Sequence, residues 1–512
     1  MIKRIFLAVG IFIHFGLIAH AQQFTDVSAE LTGVSEGSAR WIDHDRDGDL
    51  DALVMGEFFK GNQRGVVSNL YNNLRNDRFS RIASGLPNLH RGDFDLGDYN
   101  LDGINDIALI GETSDGTRIA AIYRGTVSGQ FLPTGISFLP VRDGSIRFGD
   151  FDGDGDPDIL LTGESKTGPV SLVYRNDRNN TFVLVPSKLQ GVRRGVGIWY
   201  DHNLDGYPDI FITGADASGH PFSMLYTNQG MGFEEYQAGI IPLKHSYAAV
   251  GDYDNDGDPD LLVMGEADQG RLVTRLYRND RSKGFGRTPA IFVHVSSGFA
   301  DWGDFDGDGD VDLLISGESA EGPVTRVYEN NRARGFSDLP VNLIGLHMST
   351  GQWGDYDMDG DLDILIAGMA AGHQYQTRIY RNDLFLSGQA ASDASARKTG
   401  EEEDIFNNSV VVPERGKPDF LFVYSSAYTD LYNTGTKAYF LFVSPVKRPK
   451  KQYEMEDRYS QLLREQYPQW SIVDQGNLLS IGKPSQAEAE KSRKRIIDEY
   501  TGKNFTIIEI NW

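Results

Sequence analysis

The sequence predicts a mainly β fold, a seven-bladed β-propeller followed by a small α+β domain of ferredoxin-like βαββαβ order. Three observations carry this. The pattern Asp-x-Asp/Asn-x-Asp-Gly-x-x-Asp occurs seven times, starting at Asp43, Asp98, Asp150, Asp201, Asp252, Asp304 and Asp355, with starts 55, 52, 51, 51, 52 and 51 residues apart. A fixed period of this length marks a repeat architecture, and four strand signals per period match a propeller blade. Beyond Asp383 the repeat stops and helical and strand patterns alternate instead.

Within each repeat the elements follow in a set order. One strand enters the Asp-rich loop. A second leaves it as a short apolar run such as Leu53-Val54-Met55 or Leu313-Leu314-Ile315, ending at a glycine thirteen residues after the first Asp (Gly56, Gly111, Gly163, Gly214, Gly265, Gly317, Gly368). Runs this short and rich in branched residues read as buried strands. A third strand ends at Tyr-x-Asn (Tyr71/Asn73, Tyr174/Asn176, Tyr226/Asn228, Tyr277/Asn279, Tyr328/Asn330, Tyr380/Asn382), with Gly125 replacing Asn after Tyr123. A Phe opens the fourth in most units (Phe79, Phe131, Phe182, Phe233, Phe285, Phe336), but the seventh unit has none. The segment Phe24-Thr25-Asp26-Val27 has the form of a stray fourth strand, so it is expected to complete blade seven and close the ring. Trp41, Leu96, Phe148, Trp199, Val250, Trp302 and Trp353 precede each loop by two positions and read as blade-to-blade core.

The chain starts with Lys3-Arg4, an apolar run from Ile5 to Ile18 and Ala19-His20-Ala21, the form of a secretory signal cleaved after Ala21. The expected organisation is a signal peptide over 1–21, the propeller over 22–385, a linker over 386–416 and the small domain over 417–512. Among 512 residues there is no cysteine, which excludes a lipid-anchored lipoprotein and leaves an exported protein without disulfides. No later segment has the length and apolarity of a membrane span. The formal net charge of −24 argues against nucleic acid as a partner.

The acids of each repeat have the spacing of a calcium loop, in which the side chains at positions 1, 3, 5 and 9 and the carbonyl at 7 converge and Gly at 6 permits the turn. The expected side-chain donors are Asp43, Asp45, Asp47 and Asp51; Asp98, Asn100, Asp102 and Asp106; Asp150, Asp152, Asp154 and Asp158; Asp201, Asn203, Asp205 and Asp209; Asp252, Asp254, Asp256 and Asp260; Asp304, Asp306, Asp308 and Asp312; and Asp355, Asp357, Asp359 and Asp363. The carbonyl donors are Asp49, Ile104, Asp156, Tyr207, Asp258, Asp310 and Asp361. Four carboxylates held together without a cation repel strongly, so Asp-rich turns without metal are the weaker reading. Up to seven structural Ca²⁺ are expected, with Asn100 and Asn203 making the weaker sites.

The loop, the apolar strand with its glycine and the Tyr-x-Asn tail resemble the FG-GAP/VCBS repeat family, which includes the propeller of integrin α-subunits and many exported bacterial proteins. The resemblance covers about residues 24–385. It implies calcium bound in the hairpin between the first two strands of each blade, while the cleaved signal leads to the expectation of a bacterial protein in the periplasm, at the cell surface or in the medium. It does not fix one function, since adhesins, complex subunits and polysaccharide-acting enzymes share the repeat.

In the C-terminal piece, Tyr439–Val443, Trp470–Val473, Leu478–Ile481 and Phe505–Ile510 read as strands. Helices are expected around Met455–Leu463 and after Ser485-x-x-Glu488, a capping box. In element order and in Leu479-Ser480-Ile481-Gly482 it resembles the SPOR peptidoglycan-binding domain; read from its residues alone, it is a partner-docking domain.

Two function classes remain. One is a non-catalytic binding, adhesion or scaffold module. The other is a calcium-dependent polysaccharide lyase or hydrolase. Propeller enzymes elaborate loops on one face, but the Gly-to-Tyr intervals here are 15, 12, 11, 12, 12, 11 and 12 residues, which leaves no catalytic insertion. The binding reading is favoured, for a protein or anionic glycan. Its candidate contacts, seven and eight residues before each loop, are His90, Arg91, Arg142, Arg193, Arg194, Lys244 and His245. These basic groups on adjacent blades lie about 20 Å from the metal loops along the strand. Arg91-Gly92-Asp93 spells an integrin-recognition tripeptide, a match that chance alone supplies in chains of this length.

Overall fold

The computed structural model describes residues 24–383 except 62, 231, 282 and 283, and, in the C-terminal part, 420–429, 438–447, 479–483, 485–502 and 506–509. The signal peptide, the linker, the helix expected at Met455–Leu463 and the strand at Trp470–Val473 lie outside these residues. Two units separate at Thr399/Gly400.

The first unit is a seven-bladed propeller of four-stranded antiparallel sheets. Blade one runs outward in chain order through Ser35–Ile42, Asp51–Lys60, Gln63–Asn73 and Phe79–Ile82. The first strands of neighbouring blades pack on one another around the axis. The second strands are buried on both faces: Leu53, Val54 and Met55 are all 2% exposed or less.

Blade seven takes its inner strands from His347–Gly354, Asp363–Ala370 and Gln374–Asn382, and its outer strand from Phe24–Asp26. Phe24 faces Asn382, Thr25 faces Arg381 and Asp26 faces Tyr380. Thr25 Oγ1 donates to Asp383 at 2.7 Å, and the Phe24 ring lies 6.0 Å from Phe305 and 5.9 Å from Trp353. The expected closure by the N-terminal strand is therefore what the ring contains.

The aromatic residues before the loops are core, and their size is matched across each seam. Trp41 stacks on Tyr356, Trp199 on Phe151 and Trp353 on Phe305, each partner being loop position 2 of the preceding blade. Beneath these rings the preceding blade supplies glycine: a Cβ on Gly149 would lie 2.4 Å from Trp199, and one on Gly303 2.9 Å from Trp353. Where the following blade carries the smaller Leu96 or Val250, the position is filled by Ile42 or Tyr200. Volume is thus conserved across every seam, as close packing requires.

The second unit holds a four-stranded sheet in the order Leu479–Lys483, Phe420–Thr429, Ala438–Val443, Thr506–Glu509. One helix, Gln486–Gly502, follows Ser485 as the capping box predicts. Phe422, Val443 and Ile496 form its core. The strand Phe420–Thr429 was not anticipated; it lies inside the sheet, so the described part is not the expected βαββαβ order alone. No helix among the described residues is long and apolar enough to cross a membrane.

Candidate metal centres and the axial face

In every blade the first Asp of the loop accepts backbone N–H groups across the turn. Gly103 N lies 2.7 Å from Asp98, Gly155 N 3.0 Å from Asp150, Gly257 N 2.9 Å from Asp252 and Gly309 N 3.0 Å from Asp304. The ninth residue does most to tie the blade together. Asp158 accepts from Phe151 N at 3.0 Å with one oxygen and from Asn176 N at 2.8 Å with the other, and Asp51, Asp106, Asp209, Asp260, Asp312 and Asp363 repeat this. These carboxylates are 0–1% exposed. Burial, reinforced by neighbouring loop acids, raises Asp106 and Asp260 to about 7, Asp158 and Asp312 to about 8 and Asp363 to about 9.

Oxygens of Asp43, Asp45 and Asp47, of Asp150, Asp152 and Asp158, and of Asp252, Asp254 and Asp260 lie within 4.8 Å of one another in each set. Asp43 Oδ1, Asp357 Oδ1 and Asp359 Oδ2 are buried without a hydrogen-bond partner. Clustered carboxylate oxygens of this kind have the chemistry to hold a hard cation. The side chains at position 7 do other work: Asp49 pairs with Arg75 at 3.1 Å, Asp156 with Arg178 at 2.7 Å, and Asp258 and Asp310 with Arg281 and Arg332. Their carbonyls alone are left to the loop. In blades one and four, position 2 is His44 or His202, whose Nδ1 bonds the ninth Asp (2.5 Å for His44 to Asp51).

The Tyr-x-Asn asparagine links one loop to the next. Asn279 Nδ2 donates to His202 O of the preceding blade at 2.7 Å and to Pro259 O of its own at 3.2 Å. Asn73, Asn176, Asn228, Asn330 and Asn382 reach Tyr356, Tyr99, Phe151, Tyr253 and Phe305 in the same way at 2.7–2.9 Å. Gly125 leaves the seam between blades one and two without this bond, and a cavity of about 330 Å³ lies there, against His44, Gly125 and Gly129.

At the other end of the inner strands, a bulge sets two residues of the first strand opposite one of the second, as between Ser35 and Ser38 or Lys244 and Tyr247. Its first residue is left-handed in all seven blades: Glu36, Arg91, Asp143, Arg194, His245, Ser297 and Met348, with φ of 44–51°. The next is glycine in five blades, because a Cβ on Gly37, for example, would lie 1.9 Å from Met55 O. These seven residues rim a funnel of about 390 Å³ at the mouth of the axial channel.

The basic residues expected on this face do converge, but carboxylates meet most of them. Arg91 Nε lies 2.8 Å from Asp143, Arg142 2.6 Å from Glu112, Arg193 3.1 Å from Glu164, Lys244 3.2 Å and His245 3.4 Å from Glu266, and His90 4.0 Å from Glu36 and Glu112. Arg194 has no carboxylate among the described residues; its guanidinium lies 3.4 Å from His245 Nε2. Burial, with Arg194 beside it, lowers the His245 pKa, so the neutral ring accepts that bond. Of the Arg91-Gly92-Asp93 tripeptide, Arg91 holds Asp143 while Asp93 faces the channel and pairs with Arg40 at 3.5 Å and with Arg147.

A family model for the FG-GAP-like repeat matches residues 98–161, 201–263 and 304–366, each match spanning two successive loops. This is an FG-GAP repeat propeller. Among solved structures, the chain is similar to the V. cholerae biofilm matrix protein Bap1 (14% identity over 71% of this chain and 70% of that one, TM-score 0.30). It is similar also to AofleA from Arthrobotrys oligospora (12%, 58% and 85%, TM-score 0.36). A third is a Trypanosoma rangeli sialidase (10%, 67% and 61%, TM-score 0.35). Likenesses this distant do not bear on function. No curated protein matches the chain in sequence.

Two sets of functional neighbours in the FG-GAP repeats escaped sequence reading, although both leave a signal. Apart from Asp143 and Glu36, the carboxylates that meet this face come from the residue after the fixed glycine, Glu112, Glu164, Glu266 and Glu318, so Gly-Glu is the sign. The position-7 pairs show as Asp followed by Arg two residues after Asn, in blades one, three, five and six. Blades two and four, with Ile104 and Tyr207 at position 7, lack that Arg as well.

Proposed function

We propose that this protein is an exported, calcium-stabilised propeller that acts as a non-catalytic docking module and holds an anionic glycan at its axial face. The observation that carries the reading is Arg194, a guanidinium with no carboxylate partner among the described residues, on the rim of an axial funnel beside His245. A guanidinium binds carboxylate or sulfate by charge-assisted hydrogen bonds. Calcium would sit in the seven hairpins, held by the acids at positions 1, 3, 5 and 9, and stabilise the ring by binding only the folded state. At the opposite end of the inner strands from the funnel, it has a structural role and none in chemistry on the ligand.

The test is binding of the mature protein to heparin and to polygalacturonate at fixed calcium over a salt series. Replacing Arg142, Arg193, Arg194 and Lys244 with Ser together should abolish binding and flatten the salt dependence. Unchanged affinity and slope would overturn the anionic-ligand reading. Release of unsaturated sugars from the same polymers would overturn the non-catalytic one.

A further inference from the structure

We infer that the gap left by Ala215 in blade four is a socket for a single carboxylate or sulfate group of the glycan, an inference that rests on the reading above. The position after the fixed glycine carries Glu57, Glu112, Glu164, Ala215, Glu266, Glu318 and Met369 in blades one to seven. In the sheet it stands directly across from the start of the inner strand: His90 faces Glu112, Arg142 faces Glu164, Arg193 faces Ala215 and Lys244 faces Glu266.

The arginines do not use the carboxylate of their own blade. Arg142 leans back to Glu112 of blade two, and Arg193 to Glu164 of blade three. By the same rule Lys244 would reach residue 215. It meets a methyl group there and turns to Glu266 of its own blade, which it shares with His245. Blade four thus lacks the carboxylate that five sister blades carry at this register, while the cations around its place remain: Arg193 on Glu164, Lys244 on Glu266, and Arg194 with no carboxylate among the described residues. Arg193, Arg194 and Lys244 line a cavity of about 260 Å³ with Ala215 and Gly219. Asp143 and Glu164 also line it, but they are committed to Arg91 and Arg193.

Blade seven offers a contrast. Met369 likewise replaces Glu, but the base opposite is His347, which is satisfied by Glu318 at 3.2 Å. The absence of Glu alone does not make a socket; the excess of cations in blade four does. The rim adds a second argument. A left-handed conformation is unfavourable for a residue with a side chain, yet none of the seven rim positions is glycine. At Arg194 the rim thus presents a guanidinium that has no carboxylate among the described residues.

Ala215→Glu tests the inference without removing any cation, since five sister blades already carry Glu at this register. Affinity for heparin oligosaccharides and oligogalacturonates should fall about tenfold or more, with the melting temperature unchanged or raised. Met369→Glu, the same replacement in blade seven, should leave affinity unchanged. If Ala215→Glu binds as tightly as the parent while the fourfold Ser variant has lost binding, the axial reading survives and the socket is overturned. If Met369→Glu weakens binding as much as Ala215→Glu, a general charge effect replaces the socket. Failure of the parent to bind either oligosaccharide would overturn the reading on which the socket rests.

Discussion

Gly354, the last residue of blade seven's inner strand, lies beneath the indole of Trp41 in blade one, so that a Cβ there would come within 2.4 Å of Trp41 Cδ1. Glycine is therefore required by the size of its neighbour across the closing seam. Gly354→Ala is expected to cost about 1–3 kcal/mol by overpacking, read from urea unfolding. Combining it with Trp41→Leu, which imitates Leu96 above Ile42, should give less than the sum of the two losses. Strict additivity would show that the seam does not couple the two positions.

The asparagine links predict a second loss. Asn279→Ala removes the side-chain donor to His202 O, while Pro259 O keeps the Tyr200 hydroxyl at 2.6 Å. A destabilisation of about 1–3 kcal/mol is expected by chemical denaturation. A loss within a few tenths of a kcal/mol, as at a surface site, would assign the ring's cohesion to packing alone.

Calcium should restore a melting temperature lowered by chelation, and metal analysis should approach seven equivalents, with the Asn100 and Asn203 loops emptying first. Fewer than about three equivalents at millimolar calcium would overturn the metal reading.

The ninth-position acids give that prediction a pH signature. Their folded pKa values, about 7 to about 9 without cation, lie above the unfolded value of 3.8. Their contribution to the stability of the chelated protein is therefore full below the unfolded value and is lost as pH rises through the folded values. Chelated protein should melt lower at pH 9 than at pH 5.5, and the stabilisation by calcium should grow over the same interval.

Inside the channel, burial raises Asp301 to about 6 against the opposing pull of Arg40, and its carboxylate accepts Trp353 N at 2.9 Å. Asn can accept the same bond without charge. Asp301 stabilises the fold below its unfolded pKa and ceases to do so as pH rises past about 6. Asp301→Asn should therefore gain about 1 kcal/mol relative to the parent at pH 7.5 and nothing near pH 4. A gain that is independent of pH would assign the effect to something other than the charge.

The blades, their order and the role of Phe24–Asp26 were legible because each rests on local pattern: apolar runs, turn glycines, and a seventh unit lacking its Phe strand. The partners of the basic arc were not. Whether Arg142 meets Glu164 of its own blade or Glu112 of the previous one depends on a two-residue bulge and on the stagger between blades, neither of which a single repeat reveals. The strand Phe420–Thr429 was passed over because Phe420-Leu421-Phe422-Val423 gives way to Ser425-Ser426 and adjoins a polar linker, which blurs its end. In the candidate site, residue identity was legible and charge balance was not.

The uneven distribution of links gives the ring a preferred line of fracture. Where the first and last propeller strands meet, Phe24–Asp26 is added to blade seven just before the chain enters blade one, and the seam carries the Asn73 bond to Tyr356 and the Trp41 stack. Between blades one and two there is no asparagine bond, and Arg40 reaches Asp93 and Asp95 only at 3.5 Å. The clasp of this bracelet is stronger than one of its inner joints. Under tension or heat the circle should part first beside Gly125, well away from its own termini, and amide exchange there should outpace that at Phe24–Asp26.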